Sequence, residues 1–148
     1  MTVLTAADRA LLGEARRAVL ATTTAAGAAR LVPICFVVDA SDVVWSPLDE
    51  KPKTVGDPRD LARVRDIAER PGITLLVDRW SEDWTELAWL RLSGRAELVE
   101  PAGIPTAIVA ELRDRYPQYV GHDLEARPML RIVVERAVRW AADAGRPG

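Results

Sequence analysis

The chain has 148 residues, of which 49% are hydrophobic, enough to bury a sizeable core in one domain of this length. Its formal net charge is −2, which argues against nucleic-acid binding, because that function needs a clustered positive surface. No apolar run approaches the roughly 20 residues that cross a bilayer, and the first residues lack the pattern of an export signal. We therefore expect a single cytoplasmic domain over residues 1–148, with no nucleic-acid or membrane partner.

The first predicted elements are a helix and a β-hairpin. Apolar residues at helical spacing predict a helix over residues 5–19, and Thr5 is suited to cap its first turn. β-type residues follow at 19–24. Small residues at 25–28 then predict a turn in which Gly27 accepts a positive φ.

The next strands lead into a loop and a second helix. A strand is predicted over residues 30–38, interrupted by Pro33, which cannot donate to a sheet ladder. After a polar turn, residues 43–46 form a short strand. Residues 58–70 read as a helix with Asp57 as its N-cap, since proline at the first position and one apolar stripe are typical of helices.

The second half of the chain continues the β pattern. Strands are predicted over residues 73–78, 87–99 and 129–140, with a helix at 105–116 between the last two. About six strands with hairpin-like connections and few helices indicate a mostly antiparallel barrel with helical decoration.

Lysine occurs only twice, at Lys51 and Lys53, while the other basic residues are 18 arginines. The two lysines lie between a strand and a helix and are followed by Thr54. Ammonium groups, a hydroxyl and free backbone N–H groups together suit a phosphate. The alternative is a solvated cluster of loop charges.

The cysteine and histidine content restricts the chemistry further. With one cysteine, Cys35, and one histidine, His122, the chain cannot form an internal disulfide or a closed cysteine–histidine zinc site. Cys35 lies in an apolar run and is expected to be buried, whereas His122 is expected at the surface. The sequence motifs of α/β-hydrolases and zinc proteases are missing.

Five tryptophans are many for a chain with one phenylalanine. Trp84 and Trp89 are candidates to line an aromatic substrate or cofactor pocket, with core or interface packing as the alternative. Trp45 is expected in the core, and Trp140 is expected to close a dimer interface or the barrel mouth.

Several of these pieces occur in a familiar order. They are the opening helix, the Val-Leu-Ala-Thr-Thr strand, the Val32-Pro33-Ile34 strand, the basic loop, and a helix ending in Ala-Glu-Arg-Pro-Gly-Ile-Thr-Leu-Leu-Val. This order resembles the pyridoxamine 5′-phosphate oxidase-like family of flavin and deazaflavin oxidoreductases. The runs at 49–54 and 76–84 are most similar to the branch that uses coenzyme F420. The similarity extends over residues 5–140.

The resemblance implies a split β-barrel, an α+β fold with mainly β content, and a homodimer with two cofactor sites at the subunit interface. It places the cofactor phosphate at Lys51, Lys53 and Thr54, with Ser46 at the preceding strand end. Val32, Pro33 and Ile34 would run along the tricyclic ring and offer backbone groups to its polar edge.

The implied function is an F420-dependent oxidoreductase that transfers hydride between the reduced deazaflavin and an unsaturated small organic substrate. FMN is the second choice of cofactor. No catalytic residue is assigned, because the cofactor carries the chemistry. A carrier or sensor that binds a flavin or F420 without turnover remains open, as does a split barrel without a cofactor. Asp57 and Asp60 depart from the family pattern, since they add negative charge near the helix that follows the lysine loop.

Overall fold

The computed structural model describes residues 2–48 and 56–142, and within them one curled antiparallel sheet of seven strands dominates. The strand order across the sheet is β2-β1-β5-β6-β7-β4-β3, so β2 and β3 are its edges. The strands are β1 (Ala18–Thr23), β2 (Ala29–Ile34), β3 (Val37–Val38), β4 (Val43–Pro47), β5 (Gly72–Arg79), β6 (Ala88–Val99) and β7 (Met129–Ala141). The predicted split-barrel class is confirmed.

Three α-helices accompany the sheet in the described part of the chain: α1 (Ala6–Glu14), α2 (Ala62–Glu69) and α3 (Thr106–Arg115). Thr5 caps α1 as predicted, because its hydroxyl accepts a hydrogen bond from the N–H of Asp8 at 3.1 Å. The Asp8 carboxylate in turn accepts from the N–H of Thr5 at 3.0 Å, which completes a capping box.

Helix α1 ends earlier than the predicted range of 5–19, because Ala15 adopts an extended backbone and the chain enters β1 at Ala18. The guanidinium of Arg115 donates to the carbonyls of Leu12, at 2.9 Å, and of Gly13, at 3.0 Å. It also donates to the carbonyl of Ala15. This distant arginine therefore satisfies the last carbonyls of the helix, which helical spacing alone does not reveal.

The predicted strand over 30–38 is divided into β2 and β3, which gives seven strands instead of about six. The break lies at Cys35 and Phe36 and not at Pro33, which remains within β2. Tyr116 explains this position, since its hydroxyl accepts from the N–H of Phe36 at 3.1 Å and donates to its carbonyl at 3.2 Å. Pro33 is tolerated because β2 is an edge strand.

The predicted helix over 58–70 is also divided. A 3₁₀ turn at Pro58–Asp60 is followed by Leu61 in an extended conformation, and α2 begins at Ala62. Asp57 caps the turn as predicted, with its carboxylate accepting from the N–H of Arg59 at 2.9 Å.

The core consists of two groups of buried side chains. The larger group fills the inside of the curled sheet against α1 and α2, and the smaller group lies under α3. Strand β4 is buried along its whole length, with Val44 in the first group and Val43 and Trp45 in the second. The prediction that Trp45 is a core residue is confirmed.

The opposite side of the sheet, here called the outward face, is formed by alternate residues of β2, β1, β5, β6 and β7. Cross-strand register places Pro33 beside Val19, Val19 beside Leu76, Leu76 beside Arg91, and Arg91 beside Val138. No helix among the described residues is long and apolar enough to cross a membrane.

Candidate functional site

The ends of β2 and β4 meet although they are far apart in the sheet order. The hydroxyl of Ser46, in β4, donates to the carbonyl of Cys35, which directly follows β2, at 2.8 Å. Ser46 is almost completely buried, with 1% of its surface exposed. Because the hydroxyl has one proton, Ser46 directs that proton at Cys35 and joins the two strand ends.

The start of the lysine loop is fixed by backbone contacts. Leu48 is buried, its N–H donates to the carbonyl of Pro128 at 3.3 Å, and its carbonyl accepts from Nε of Arg127 at 2.7 Å. The predicted phosphate ligands follow at once, but Lys51, Lys53 and Thr54 lie outside the described residues.

The chain beyond the lysine loop carries a compact set of charges. Asp57 accepts from the N–H of Arg59, which is the main cause that lowers the pKa of Asp57. The Arg59 guanidinium also contacts Asp57, at 3.1 Å, and Nε of Arg59 lies 3.2 Å from Oε2 of Glu100. Arg59 is thus shared by two carboxylates.

The three predicted ring-binding residues of β2 have different environments. Ile34 is buried, with 6% of its surface exposed, and Val32 packs partly against the larger core group. Pro33 is exposed and points to the outward face beside Val19. Of these three residues, only Pro33 therefore offers a side chain to a ring on this face, while the outer edge of β2 pairs with no other described strand.

The two predicted pocket tryptophans are separated. Trp84 begins a short 3₁₀ turn and is 69% exposed. Trp89 lies in β6 on the outward face, between Asp78 of β5 and Trp140 of β7 in the cross-strand register. Trp89 and Trp140 line one groove with Trp80, whereas Trp84 does not belong to that lining.

A buried carboxylate behind β2 was missed by sequence reasoning. Asp66 of α2 accepts from the hydroxyl of Thr22 at 2.7 Å and from Nε of Arg30 at 2.8 Å. Burial alone would raise the pKa of Asp66, but these hydrogen bonds and the charges of Arg30 and Arg70 outweigh it, and the net shift is downward. The network ties α2 to the β1–β2 hairpin and fixes the strand that offers Pro33.

In residues 2–48 and 56–142, no group of three or more histidine, cysteine or acidic side chains is placed to hold a metal ion. His122 is half-buried, and its ring packs edge-on against Tyr119 with 5.5 Å between centroids, in a packing role. Cys35 is also half-buried and packs against the smaller core group.

A sequence match identifies the family of the chain. Residues 4–142 match the family model described as pyridoxamine 5′-phosphate oxidase. The chain belongs to this family. The predicted resemblance is confirmed, and the split barrel described above is the fold expected for a pyridoxamine 5′-phosphate oxidase-family protein. No curated protein sequence matches the chain.

Solved structures share the fold of this family member at low sequence identity. The conserved hypothetical protein Rv2991 from Mycobacterium tuberculosis is 19% identical, with a TM-score of 0.73 over 99% of this chain and 91% of that one. A structure named F420 reductase is 20% identical, with a TM-score of 0.62 over 88% and 94% of the two chains. HutZ, described as a heme storage protein from Vibrio cholerae, is 14% identical, with a TM-score of 0.69 over 95% of both chains. The fold is therefore shared by proteins whose names indicate different ligands.

Proposed function

We propose that this pyridoxamine 5′-phosphate oxidase-family protein is an oxidoreductase that binds coenzyme F420, or else FMN, and reduces an unsaturated small organic molecule. The observation that carries the proposal is the junction of β2 and β4 at Cys35 and Ser46. Ser46 lies one residue before the end of β4, after which the chain enters its only lysine-containing loop, and Cys35 directly follows the edge strand β2. The family match and the similar structure named F420 reductase support the same cofactor class.

The donor set fits a phosphate-bearing cofactor. Lys51, Lys53 and Thr54 would hold the phosphate, because ammonium and hydroxyl groups donate hydrogen bonds to its oxygens. Pro33 and the outer edge of β2 would lie along the ring, and Ser46 holds the two strand ends together.

The cofactor would supply hydride chemistry when bound. The protein's own contribution is to bind the anionic tail, orient the ring against the outward face and exclude water from it. These tasks need a rigid surface rather than an acid–base pair. The hydrogen bonds of Asp66 behind β2 help to make that strand such a surface.

We propose that the active unit is a homodimer. Leu31 lies on the outward face in the edge strand β2 and is 66% exposed, so a second copy packed against β2 would cover it. Sedimentation velocity tests this arrangement. We expect a dimer for the wild type and a shift toward monomer, with weaker F420 binding, for Leu31→Glu. A wild-type monomer that binds F420 as tightly at nanomolar as at micromolar protein concentration would contradict it.

Cofactor binding is tested by titrating the protein with F420 and FMN while following tryptophan fluorescence. In Lys53→Ala we expect Kd to rise by about tenfold or more, because a charge-assisted hydrogen bond contributes about 1.5–3 kcal/mol. Arg17→Ala removes one exposed positive charge elsewhere and is the control for net charge. An equal effect of both variants would show non-specific attraction, and no effect of either would remove the lysine loop from the site.

Turnover is tested separately, by mixing the protein with reduced F420 and a panel of unsaturated acceptors. Recovery of the absorbance of oxidised F420 is expected for at least one acceptor. Tight binding without oxidation over the whole panel would identify a carrier or sensor instead.

A further inference from the structure

A groove of about 330 Å³ opens on the outward face at the ends of β5, β6 and β7. Three of the five tryptophans line it, namely Trp80, Trp89 and Trp140. Trp140 is directly opposite Trp89 in the β6–β7 register. Flat indole rings favour flat ligands, because offset stacking and dispersion are strongest between parallel surfaces.

One cation in this groove, Arg91, lies over an aromatic ring, and no described carboxylate pairs with it. The guanidinium carbon of Arg91 lies 5.4 Å from the centre of the Trp89 ring. Within the described residues, Arg91 donates to no carboxylate. Arg79 also lines the groove, but its guanidinium is paired with Glu14 and the carbonyl of Glu86. Arg91 is thus the cation whose donors remain open to an anionic group.

A carboxylate in the groove, Asp78, favours a ligand with only one acid group. Asp78 lies across from Trp89 on the outward face, diagonal to Arg91, and no ion pair of Asp78 occurs among the described residues. Diagonal neighbours in a sheet are about 7–8 Å apart, so a second acid group on a ligand bound by Arg91 would lie near the Asp78 carboxylate.

We propose that this groove binds a planar, conjugated organic monoacid, with its ring on Trp89 and Trp140 and its acid group on Arg91. The volume suits a ligand of one or two rings, at the small end of ordinary ligand pockets. The proposal goes beyond the proposed function by adding a ligand site, and it does not rest on that function.

The groove shares the outward face with the predicted cofactor strand. Pro33, Val19, Leu76 and Arg91 form one row across β2, β1, β5 and β6. Three strand spacings of about 4.8 Å place Arg91 about 14 Å from Pro33. The groove and the predicted cofactor strand therefore share one surface, with the ligand ring on β6 and β7 at least three strand spacings from β2.

Isothermal titration calorimetry of the full chain without cofactor tests the groove, with trans-cinnamate as the probe. Cinnamamide has the same shape without the charge, and 3-cyclohexylpropanoate has the charge without the flat ring. We expect cinnamate to bind at least tenfold more tightly than either. The dianion 4-carboxycinnamate should bind more weakly than cinnamate, and Asp78→Asn should reduce that difference.

Two substitutions of Arg91 test whether its positive charge binds the acid group of the ligand. Arg91→Gln should weaken cinnamate binding by about tenfold and leave cinnamamide binding unchanged, whereas Arg91→Lys should restore part of the affinity. Arg95→Gln is the matched control, since Arg95 is an exposed arginine on the same strand and does not line the groove.

Equal affinity for cinnamate and cinnamamide, unchanged binding in Arg91→Gln, or no binding of cinnamate at millimolar concentration would each overturn the proposal. So would a change of oligomeric state in Arg91→Gln without a change in cinnamate affinity, because the groove would then serve contact between copies. The test contains no F420, so these results are independent of the F420 titration.

Discussion

Ser46 and Cys35 connect two strands that are otherwise on opposite sides of the sheet order, through the 2.8 Å hydrogen bond from the Ser46 hydroxyl to the Cys35 carbonyl. Ser46 is buried and the bond partly so, and β4 ends one residue after Ser46, just before the lysine loop. Two roles of the Ser46 hydroxyl can be distinguished by experiment. Holding the strand ends together affects the stability of the fold, whereas a direct contact with a cofactor affects cofactor affinity.

Ser46→Ala is expected to lower the free energy of unfolding by about 1 kcal/mol, because a neutral intramolecular hydrogen bond contributes about that much. Urea denaturation followed by tryptophan fluorescence measures this change. If the hydroxyl acts only between the strands, the Kd for F420 should change less than threefold.

Ser41→Ala is the control for this experiment, because Ser41 is exposed in the turn before β4. It should change neither stability nor affinity. A large loss of F420 affinity in Ser46→Ala at unchanged stability would instead make the hydroxyl a direct cofactor ligand.

Asp66→Asn is expected to lower the free energy of unfolding by about 1–3 kcal/mol at pH 7, because two of its hydrogen bonds are formed by a buried ionised carboxylate. The folded state lowers the pKa of Asp66, so its stabilisation is present above the ordinary pKa and is lost as pH falls through the folded one. The difference between the wild type and Asp66→Asn should therefore shrink below about pH 4.

Urea denaturation at pH 7 and pH 3 measures the difference for Asp66→Asn. Glu69→Gln is the matched control, because Glu69 is in the same helix and pairs with Arg70 at the surface. Glu69→Gln should leave the free energy of unfolding nearly unchanged at both pH values. A difference for Asp66→Asn that stays constant with pH would mean that the charge of Asp66 does not stabilise the fold.

The sequence predicted most strands well because their alternation is strong, but it could not predict where long-range side chains end an element. The end of α1 depends on Arg115, and the break after β2 depends on Tyr116, each about 80 to 100 residues away along the chain. Local periodicity contains no information about such partners.

The candidate site was also predictable only in part. Trp89 and Arg91 alternate along a strand, so the sequence indicates that they share a face. The sequence also shows that Asp57 adds negative charge next to the lysine loop. The sequence could not predict that Trp80 and Trp140 come together with Trp89, because this depends on the register of three strands. The separation of Trp84 from that groove likewise depends on the turn that Asp83 caps.

Asp42 holds the start of the chain and has a positive φ of 62°. Its carboxylate accepts from the N–H of Val3 at 2.7 Å and of Leu4 at 3.3 Å, and it pairs with Arg9. Asp42→Ala and Asp42→Gly should both lower the free energy of unfolding. The glycine variant should be the more stable of the two by about 1 kcal/mol, because glycine adopts positive φ without a Cβ penalty.

Hydrogen exchange at the amide of Leu4 checks the cause of this loss, since it should become faster in both variants. Ser41→Ala again serves as the control, being adjacent in the same turn. Two variants of equal stability would show that the backbone conformation at Asp42 stores no strain.

Gly94 occupies a position in β6 where a side chain has no room. The strand pairing with β7 shifts between Ser93 and Gly94, and a Cβ built at Gly94 would lie 2.0 Å from the carbonyl oxygen of Val133. Because that neighbour is backbone, β6 and β7 must separate to admit even a methyl group. Gly94→Ala is expected to lower the free energy of unfolding by about 3 kcal/mol, at the upper end of the usual cost of overpacking. Thermal denaturation followed by circular dichroism measures the loss.

Gly72→Ala is the matched control, because Gly72 begins the neighbouring strand β5 and an added Cβ there meets nothing within 4 Å. The Tm of this variant should equal or slightly exceed that of the wild type, since alanine reduces the conformational freedom of the unfolded chain. Gly94→Ala should also disturb the groove, because Trp89 and Trp140 depend on the β6–β7 pairing that Gly94 permits. A Tm of Gly94→Ala equal to that of Gly72→Ala would show that the two strands tolerate the added methyl group.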